Sequence, residues 1–198
     1  MSRLLLATRN AAKLVELRRI VTAPIELIGL ADVPEYDEAP ETGATFADNA
    51  LLKAREAVKH TGLPAVADDS GLTVQALNDM PGVLSARWAG KHGDDPANLR
   101  LVLDQIADVP DERRAGAFVC AAALVLPDGT ERVVHGEITG RIIREPRGEN
   151  GFGYDPIFVP DGESRTTAEM SAQEKDAISH RGRAFRALSD HIAELLQP

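Results

Sequence analysis

Residues 65–72 have the sequence AVADDSGL, in which a short apolar run is followed directly by two carboxylates, a hydroxyl and a glycine. The run has the composition of a buried strand, and we expect the strand to leave the core at Asp68. Adjacent strand residues point to opposite faces, so Asp68 and Asp69 can face one point only if the backbone turns. Gly71 permits such a turn. The stretch predicts a metal site at a strand end, with an ordinary solvated turn as the alternative.

Length and composition indicate a globular protein. The chain has 198 residues, of which 43% are hydrophobic and 27% are charged, so we expect a single domain over residues 1–198 with one sizeable core. The apolar run at residues 4–6 is too short for a signal peptide, and no run is long enough to cross a membrane. Cys120 is the only cysteine, which excludes an intrachain disulfide. These features predict a cytoplasmic protein.

The net charge limits the class of ligand. A formal charge of -9 argues against a broad nucleic-acid-binding surface, because that affinity depends on basic side chains that displace counterions. A small phosphorylated ligand stays compatible, because charges farther apart than a Debye length of about 8 Å are largely screened. A local cluster of lysine and arginine can therefore still bind a polyphosphate.

The chain opens with a predicted strand, a tight turn and a helix. Residues 3–7 are mostly apolar, Asn10 has the position of a helix N-cap, and apolar residues at helical spacing begin at Leu14. A helix N-terminus offers unpaired N–H groups, and Thr8, Asn10 and Lys13 add two polar groups and a cation. The turn predicts phosphate binding. Ordinary helix capping is the alternative, because the glycine-rich P-loop pattern is missing.

Capping motifs and apolar spacing predict further helices, and alternating apolar residues predict further strands. The strand over residues 131–144 is expected to be broken at Gly136 and Gly140. Because residues 127–130 form a turn between two strands, part of the sheet is expected to be antiparallel. The fold class is therefore α/β with a mixed sheet. The predicted helices begin at Thr45, Asp95 and Ser171, and the predicted strands cover residues 72–76, 115–126, 131–144 and 157–159.

Residues 148–156 contain three glycines around two aromatic residues. Glycines let backbone amides approach a ligand closely, and Phe152 or Tyr154 can stack on a ring. Anchoring of this loop to the core is an equal alternative. Lys175 and Arg181, farther along the chain, can form a local positive cluster for a polyphosphate even though the net charge of the chain is negative.

Six motifs occur in an order that matches one family, and they span nearly the whole chain. The motifs are Thr8-x-Asn10-x-x-Lys13, Glu41-Thr42-Gly43-x-Thr45-Phe46-x-x-Asn49-Ala50, Asp68-Asp69-Ser70-Gly71-Leu72, Ser85-Ala86-Arg87, Gly151-Phe152-Gly153-Tyr154-Asp155-Pro156 and Ser179-His180-Arg181-Gly182. With these motifs the chain resembles the inosine triphosphate pyrophosphatases, also called non-canonical purine NTP pyrophosphatases or the Ham/RdgB family.

The resemblance implies a Mg²⁺-dependent enzyme that hydrolyses ITP, dITP and XTP to the monophosphate and pyrophosphate. It also implies an elongated mixed central sheet flanked by helices, two lobes with a cleft between them, and a homodimer. It assigns Glu41 and Asp69 to the metal, with Asp69 also as proton acceptor, and we add Asp68 to the metal shell. The substrate contacts that it implies are Thr8, Arg9, Asn10, Lys13, Ser70, Phe152, Gly153, Tyr154, Asp155, Lys175, His180 and Arg181.

The residues also suggest how a base is selected. We expect backbone amides of residues 152–155, with His180 and Arg181, to donate hydrogen bonds to a purine oxo group while Phe152 stacks. We expect Lys13 and Lys175 to share a ligand with Asp69. Two alternatives stay open: a Maf-like house-cleaning pyrophosphatase acting on modified or pyrimidine nucleotides, and a protein that binds nucleotides without hydrolysing them.

Overall fold

The structure is a computed structural model that describes residues 3–20, 25–37 and 40–196. Short 3-10 turns connect several of its elements. None of the helices in these described ranges is long and apolar enough to span a membrane. The helices and strands are β1 (Arg3–Leu6), α1 (Ala11–Ile20), β2 (Glu26–Gly29), α2 (Phe46–Thr61), β3 (Ala65–Val74), β4 (Met80–Pro81), α3 (Asp95–Gln105), β5 (Ala115–Val125), β6 (Glu131–Ile142), β7 (Phe158–Pro160), α4 (Ala172–Ile178) and α5 (His180–Leu196).

The strands form a mixed sheet, as the sequence predicted. Their order is β2-β1-β3-β5-β6-β7, and β4 pairs with β3. β1 is parallel to β2 and β3, whereas β6 is antiparallel to β7 and β3 is antiparallel to β4. The α/β class is therefore confirmed.

The chain divides into two compact units. The first unit comprises residues 1–69, 120–136 and 181–198, and the second unit comprises residues 70–119 and 137–180.

In the first unit, successive residues of β1, β3 and β5 alternate between two apolar clusters. Strand geometry requires this alternation, because neighbouring side chains leave a strand in opposite directions. We call the two sides the α5 face and the α2 face after the helix that packs on each. The α5 face includes Leu4, Leu6, Val66, Cys120, Ala122, Phe185 and Leu188, and the α2 face includes Leu5, Ala50, Ala54, Ala65, Ala67, Ala121 and Ala123.

The predicted helix boundaries are confirmed. At the start of α2 the Thr45 hydroxyl accepts from the Asp48 backbone N–H, and the Asp48 carboxylate accepts from the Thr45 backbone N–H. The helix ends at Gly62, which has a φ of 68°. The late helical region is divided at Ser179, which caps the end of α4.

Two sequence predictions about strands are wrong. β3 runs without a break from Ala65 to Val74, so the chain does not leave the strand at Asp68. β6 likewise continues through Gly136 and Gly140. Gly140 serves a close backbone approach, because a Cβ there would collide with the Val159 carbonyl of the neighbouring strand.

The second unit has its own apolar core, and a buried arginine ties its segments together. The core contains Leu72, Val102, Ile106, Phe118 and Phe158, among others. Arg114 is 2% exposed and donates to the backbone oxygens of Ile106 (2.6 Å), Ile142 (2.9 Å) and Ile143 (3.3 Å). Its guanidinium therefore satisfies carbonyl groups that follow α3 and end β6.

Replacement of this arginine should destabilise the fold. We expect Arg114→Met to lower the free energy of unfolding by at least about 2 kcal/mol, because it leaves buried carbonyl oxygens without donors. Urea denaturation measures the change. Arg100→Met is the matched control, since its exposed pair with Asp104 should be worth less than about 1 kcal/mol. Equal stability of the two variants would contradict the assigned role of Arg114.

Candidate functional site

The strand β3 carries two adjacent carboxylates into the interior of the first unit. Val66 lies on the α5 face and Ala67 on the α2 face. The same alternation places Asp68 on the α5 face and Asp69 on the α2 face. Asp68 is 2% exposed and Asp69 is 6% exposed. Because the strand does not turn, the two side chains meet different sets of partners.

Asp68 joins a buried cluster of alternating charge. Its Oδ2 lies 2.9 Å from Lys13 Nζ and 3.4 Å from Arg181 Nε. Arg181 Nη1 in turn lies 3.0 Å from Glu16 Oε2. Lys13 and Glu16 are three residues apart on α1, which places them on the same side of that helix. We call these four residues the Asp68 cluster.

The cations of this cluster keep Asp68 ionised. Burial alone would raise the pKa of the Asp68 carboxyl, but the charges of Lys13, Arg181 and Lys53 outweigh it and hold that pKa well below its ordinary value. The Asp68 carboxylate is therefore a permanent negative charge at neutral pH, and it positions two of the predicted substrate-binding cations.

Asp69 joins a second cluster, formed with Glu41, Asn49 and Lys53, which we call the Asp69 cluster. Lys53 Nζ lies 2.9 Å from Glu41 Oε1 and 3.5 Å from Asp69 Oδ1. Asn49 Nδ2 donates to Asp69 Oδ2 at 3.0 Å. Asn49 and Lys53 are one turn apart on α2, so this helix supplies both partners of the carboxylate.

Asn49 also holds the loop that carries Glu41. Its side-chain oxygen accepts from the Gly43 backbone N–H at 2.8 Å. A Cβ on Gly43 would lie 2.6 Å from that same oxygen, so only glycine permits this approach. The side chain of Asn49 thereby connects Asp69 to the loop on which Glu41 lies.

The electrostatics of the Asp69 cluster differ from those of the Asp68 cluster. Burial raises the pKa of the Asp69 carboxyl above its ordinary value, and the opposing effects of Lys53 and Asn49 do not cancel it. Burial would lower the pKa of Lys53, but Asp69, Asp68 and Glu41 together raise it. Two carboxylates thus share one ammonium group, which leaves negative charge in excess.

The Asp69 cluster suits a divalent cation better than the predicted set of three carboxylates does. Glu41 and Asp69 both contact the ammonium group of Lys53, and their carboxylates can supply hard oxygen ligands. Mg²⁺ is commonly bound by one or two carboxylates together with water and phosphate. Within the described ranges, no group of three or more His, Cys, Asp or Glu side chains is arranged to hold a metal. Asp68 is not part of such a group, because its Oδ2 contacts Lys13 and Arg181 on the other face.

The predicted phosphate-binding turn is ordered by its own side chains. Thr8 Oγ1 accepts from the Asn10 backbone N–H at 3.2 Å, and Asn10 Oδ1 accepts from the Lys13 backbone N–H at 3.1 Å. Asn10 is therefore the predicted cap of α1. Arg9 donates to the Tyr36 carbonyl and lies 5.8 Å from the Tyr36 ring centroid, so it contacts the loop that precedes Glu41.

In the second unit, the predicted substrate contacts converge on the carboxylate of Asp155. Its Oδ2 accepts from Lys175 Nζ at 2.6 Å and from the Phe152 backbone N–H at 2.9 Å, and its Oδ1 accepts from Thr167 Oγ1 at 2.8 Å. Lys175 Nζ lies 5.0 Å from the centroid of the Phe152 ring. The structure therefore brings Phe152, Asp155 and Lys175 together.

The two neighbours of Phe152 are glycines with positive φ, 76° at Gly151 and 63° at Gly153. A Cβ on Gly151 would collide with the Asp155 carboxylate. The Gly153 backbone N–H donates to Asp95 Oδ2 at 2.8 Å. The amides of Phe152 and Gly153 are thus already paired with carboxylates, whereas the sequence predicted that the amides of residues 152–155 donate to a base.

Three further residues that were predicted to contact substrate, Tyr154, His180 and Ser70, also lie in the second unit. The Tyr154 hydroxyl donates to the Ser85 carbonyl at 2.8 Å, and burial together with the charge of Asp95 raises the pKa of Tyr154. His180 stacks on Phe118 with a centroid distance of 5.0 Å. Ser70 lies within β3 and is half-buried.

Sequence reasoning did not assign Glu16, Lys53 or Asp95 to the site. Glu16 and Lys53 had a usable signal, because each lies one turn after a motif residue on the same helix, Lys13 or Asn49. Asp95 had none, because its partner Gly153 lies 58 residues away.

Known proteins resemble this chain over nearly its full length. A relative from Mycobacteroides abscessus named dITP/XTP pyrophosphatase is 61% identical over 98% of this chain and 96% of its own length. A relative of the same name from Nocardia farcinica is 62% identical over 98% and 97%.

Solved structures match as well. A HAM1 protein from Coxiella burnetii is 45% identical with a TM-score of 0.88, covering 98% of this chain and 100% of that one. The Ham1 protein from Staphylococcus aureus is 36% identical with a TM-score of 0.87, covering 98% and 99%. The model of the Ham1 family matches residues 4–191, and this chain therefore belongs to the Ham1 family.

Proposed function

We propose that this chain hydrolyses non-canonical purine nucleoside triphosphates (ITP, dITP and XTP) to the monophosphate and pyrophosphate. The relatives named dITP/XTP pyrophosphatase support this assignment over nearly the full length of the chain. The structural observation that carries it is the pair of buried carboxylates on β3, each held by its own cations. A protein that only binds nucleotides has no need for this arrangement.

We propose Mg²⁺ as the cofactor, held by Glu41 and Asp69. The bound ion would neutralise charge on the phosphate oxygens, as divalent ions do in phosphoryl chemistry. The charges of these side chains support this choice, because two carboxylates face only one ammonium group, that of Lys53, and leave a net negative charge for a cation. We do not include Asp68 among the ligands.

Asp69 is the proposed proton acceptor for the attacking water. Asn49 holds Asp69 Oδ2 at 3.0 Å, whereas Lys53 Nζ lies 3.5 Å from Asp69 Oδ1. Oδ1 is therefore the less tightly held oxygen and the one that takes the proton. Burial raises the pKa of this carboxyl, the direction that favours a general base.

Lys13 and Arg181 are the proposed phosphate-binding cations of the first unit. Asp68 and Glu16 hold their side chains in place, so little ordering is left to occur when a polyanion binds. The N-terminus of α1 adds backbone N–H groups that suit phosphate.

The turn of residues 151–155 in the second unit is the proposed purine-recognition element. Phe152 would stack on the base, with one face of its ring already against the Lys175 ammonium. Because the amides of Phe152 and Gly153 already donate to carboxylates, the predicted His180 is the proposed donor to a purine oxo group. A donor that pairs with an oxo group rejects an amino group in its place, since each unmet buried donor costs about 1–3 kcal/mol.

The single domain of two lobes, the homodimer and the cytoplasmic location stay predictions drawn from the resemblance and the composition. Light scattering coupled to size-exclusion chromatography tests the dimer.

A substrate panel tests the function. With Mg²⁺, we expect pyrophosphate from ITP, dITP and XTP at rates at least about thirtyfold above those for ATP, since two unmet donors cost at least about 2 kcal/mol together. Chelation by EDTA should abolish turnover, and added Mg²⁺ should restore it. Preferred hydrolysis of dUTP or a methylated nucleotide would favour the Maf-like alternative, and tight binding without products would favour the non-hydrolysing one.

Asp69→Asn tests the proton acceptor. The change keeps the size of the side chain and removes its basicity and its charge toward Mg²⁺, so kcat for ITP at saturating Mg²⁺ should fall by at least about 10²- to 10⁴-fold. Circular dichroism should show an unchanged fold. Glu56→Gln, a carboxylate change on α2 outside the Asp69 cluster, should leave kcat unchanged. Near wild-type turnover by Asp69→Asn would remove Asp69 from the mechanism.

Phe152→Ala tests the stacking role. Loss of one stacked ring should raise KM for ITP by about tenfold to a hundredfold, because stacking on a base is worth about 1–3 kcal/mol. Phe152→Trp retains an aromatic face and should stay close to wild type. A tryptophan variant as impaired as the alanine variant would argue against stacking.

A further inference from the structure

We propose that Asp95 is a positioning residue that fixes the turn of residues 151–155 for purine binding. This inference rests on the proposed function, in which that turn recognises the base. The carboxylate of Asp95 accepts a hydrogen bond from the Gly153 backbone N–H at 2.8 Å. Asp95 lies at the start of α3, 58 residues before its partner.

Capping of α3 does not require the carboxylate of Asp95. The preceding residue, Asp94, is the helix N-cap, and its Oδ1 accepts from the Ala97 backbone N–H at 3.3 Å. The capping requirement of α3 is thereby met by one aspartate. The second aspartate directs its carboxylate to the turn instead.

The turn depends on acceptors from outside its own backbone. Gly151 and Gly153 have positive φ values, and glycines have more conformations to lose on ordering than other residues. Two successive amides are each held by a carboxylate: the Phe152 N–H by Asp155 and the Gly153 N–H by Asp95. Asp155 belongs to the turn, whereas Asp95 comes from outside it and adds a link from the turn to α3.

Removal of Asp95 therefore affects binding more than chemistry. Phe152 lies between the two held amides, and its ring faces the Lys175 ammonium at 5.0 Å. Without Asp95, the binding of a base has to order the turn, and that ordering weakens affinity. The Asp69 cluster contains no residue of the turn, so the proton-transfer step should be unaffected.

Three variants test the inference. Asp95→Ala should raise KM for ITP by about tenfold, equivalent to about 1.4 kcal/mol, with kcat within about twofold of wild type. Asp95→Asn retains a side-chain oxygen that accepts from Gly153, so it should rescue KM to near wild type. Asp94→Ala, the matched control, should lower stability through the lost cap and leave KM unchanged.

A second measurement requires no substrate. Hydrogen exchange of the Gly153 amide, followed by NMR in the nucleotide-free protein, should be faster by at least about tenfold in Asp95→Ala than in Asp94→Ala, since only the former removes its acceptor. Unchanged exchange and unchanged KM in Asp95→Ala would overturn the inference, as would a loss confined to kcat. If ITP is not hydrolysed by the wild type, the proposed function fails, and exchange at Gly153 still decides whether Asp95 holds the turn.

Discussion

The two-residue alternation of β3 is the constraint on which the candidate site depends. An unbroken strand sends Asp68 and Asp69 to opposite faces, and neither carboxylate can be buried without compensation. Each face therefore supplies its own cations, with Lys13 of α1 and Arg181 of α5 on one side and Lys53 of α2 on the other. The same alternation that builds the two apolar layers thus separates two neighbouring acids into different environments.

This separation gives the two acids different chemistry. In the Asp68 cluster, two cations face two carboxylates, and the pKa of Asp68 is lowered. In the Asp69 cluster, one ammonium faces two carboxylates, and the pKa of Asp69 is raised. Environments that push the pKa values of neighbouring acids apart assign them different roles. Asp68 is suited to holding cations in place, and Asp69 to receiving a metal and a proton.

The alternation of side chains along a strand could be predicted from the sequence. The distant cations that allow Asp68 and Asp69 to be buried could not. Local pattern predicted the strand, the cap of α1 and the capping box of α2, because each depends on residues close together in sequence. It wrongly ended β3 at Asp68, because the compensating cations Lys13 and Arg181 lie 55 and 113 residues away. Family motifs predicted the site residues, and Lys53 and Glu16 show what such motifs omit: the residues that contact them.

The same limit explains the glycine-rich turn in the second unit. Its sequence predicted that glycines let backbone amides approach a ligand, and in the structure the backbone of Gly151 packs against the carboxylate of Asp155. Glycine, however, permits many conformations and selects none, so the turn needs acceptors that fix one of them. Asp155 lies within the turn and accepts from Lys175 of α4, whereas Asp95 is distant in sequence and holds the Gly153 amide from the start of α3. A flexible motif therefore acquires its geometry from a side chain outside it, as the acids of β3 acquire their protonation behaviour from cations on other helices.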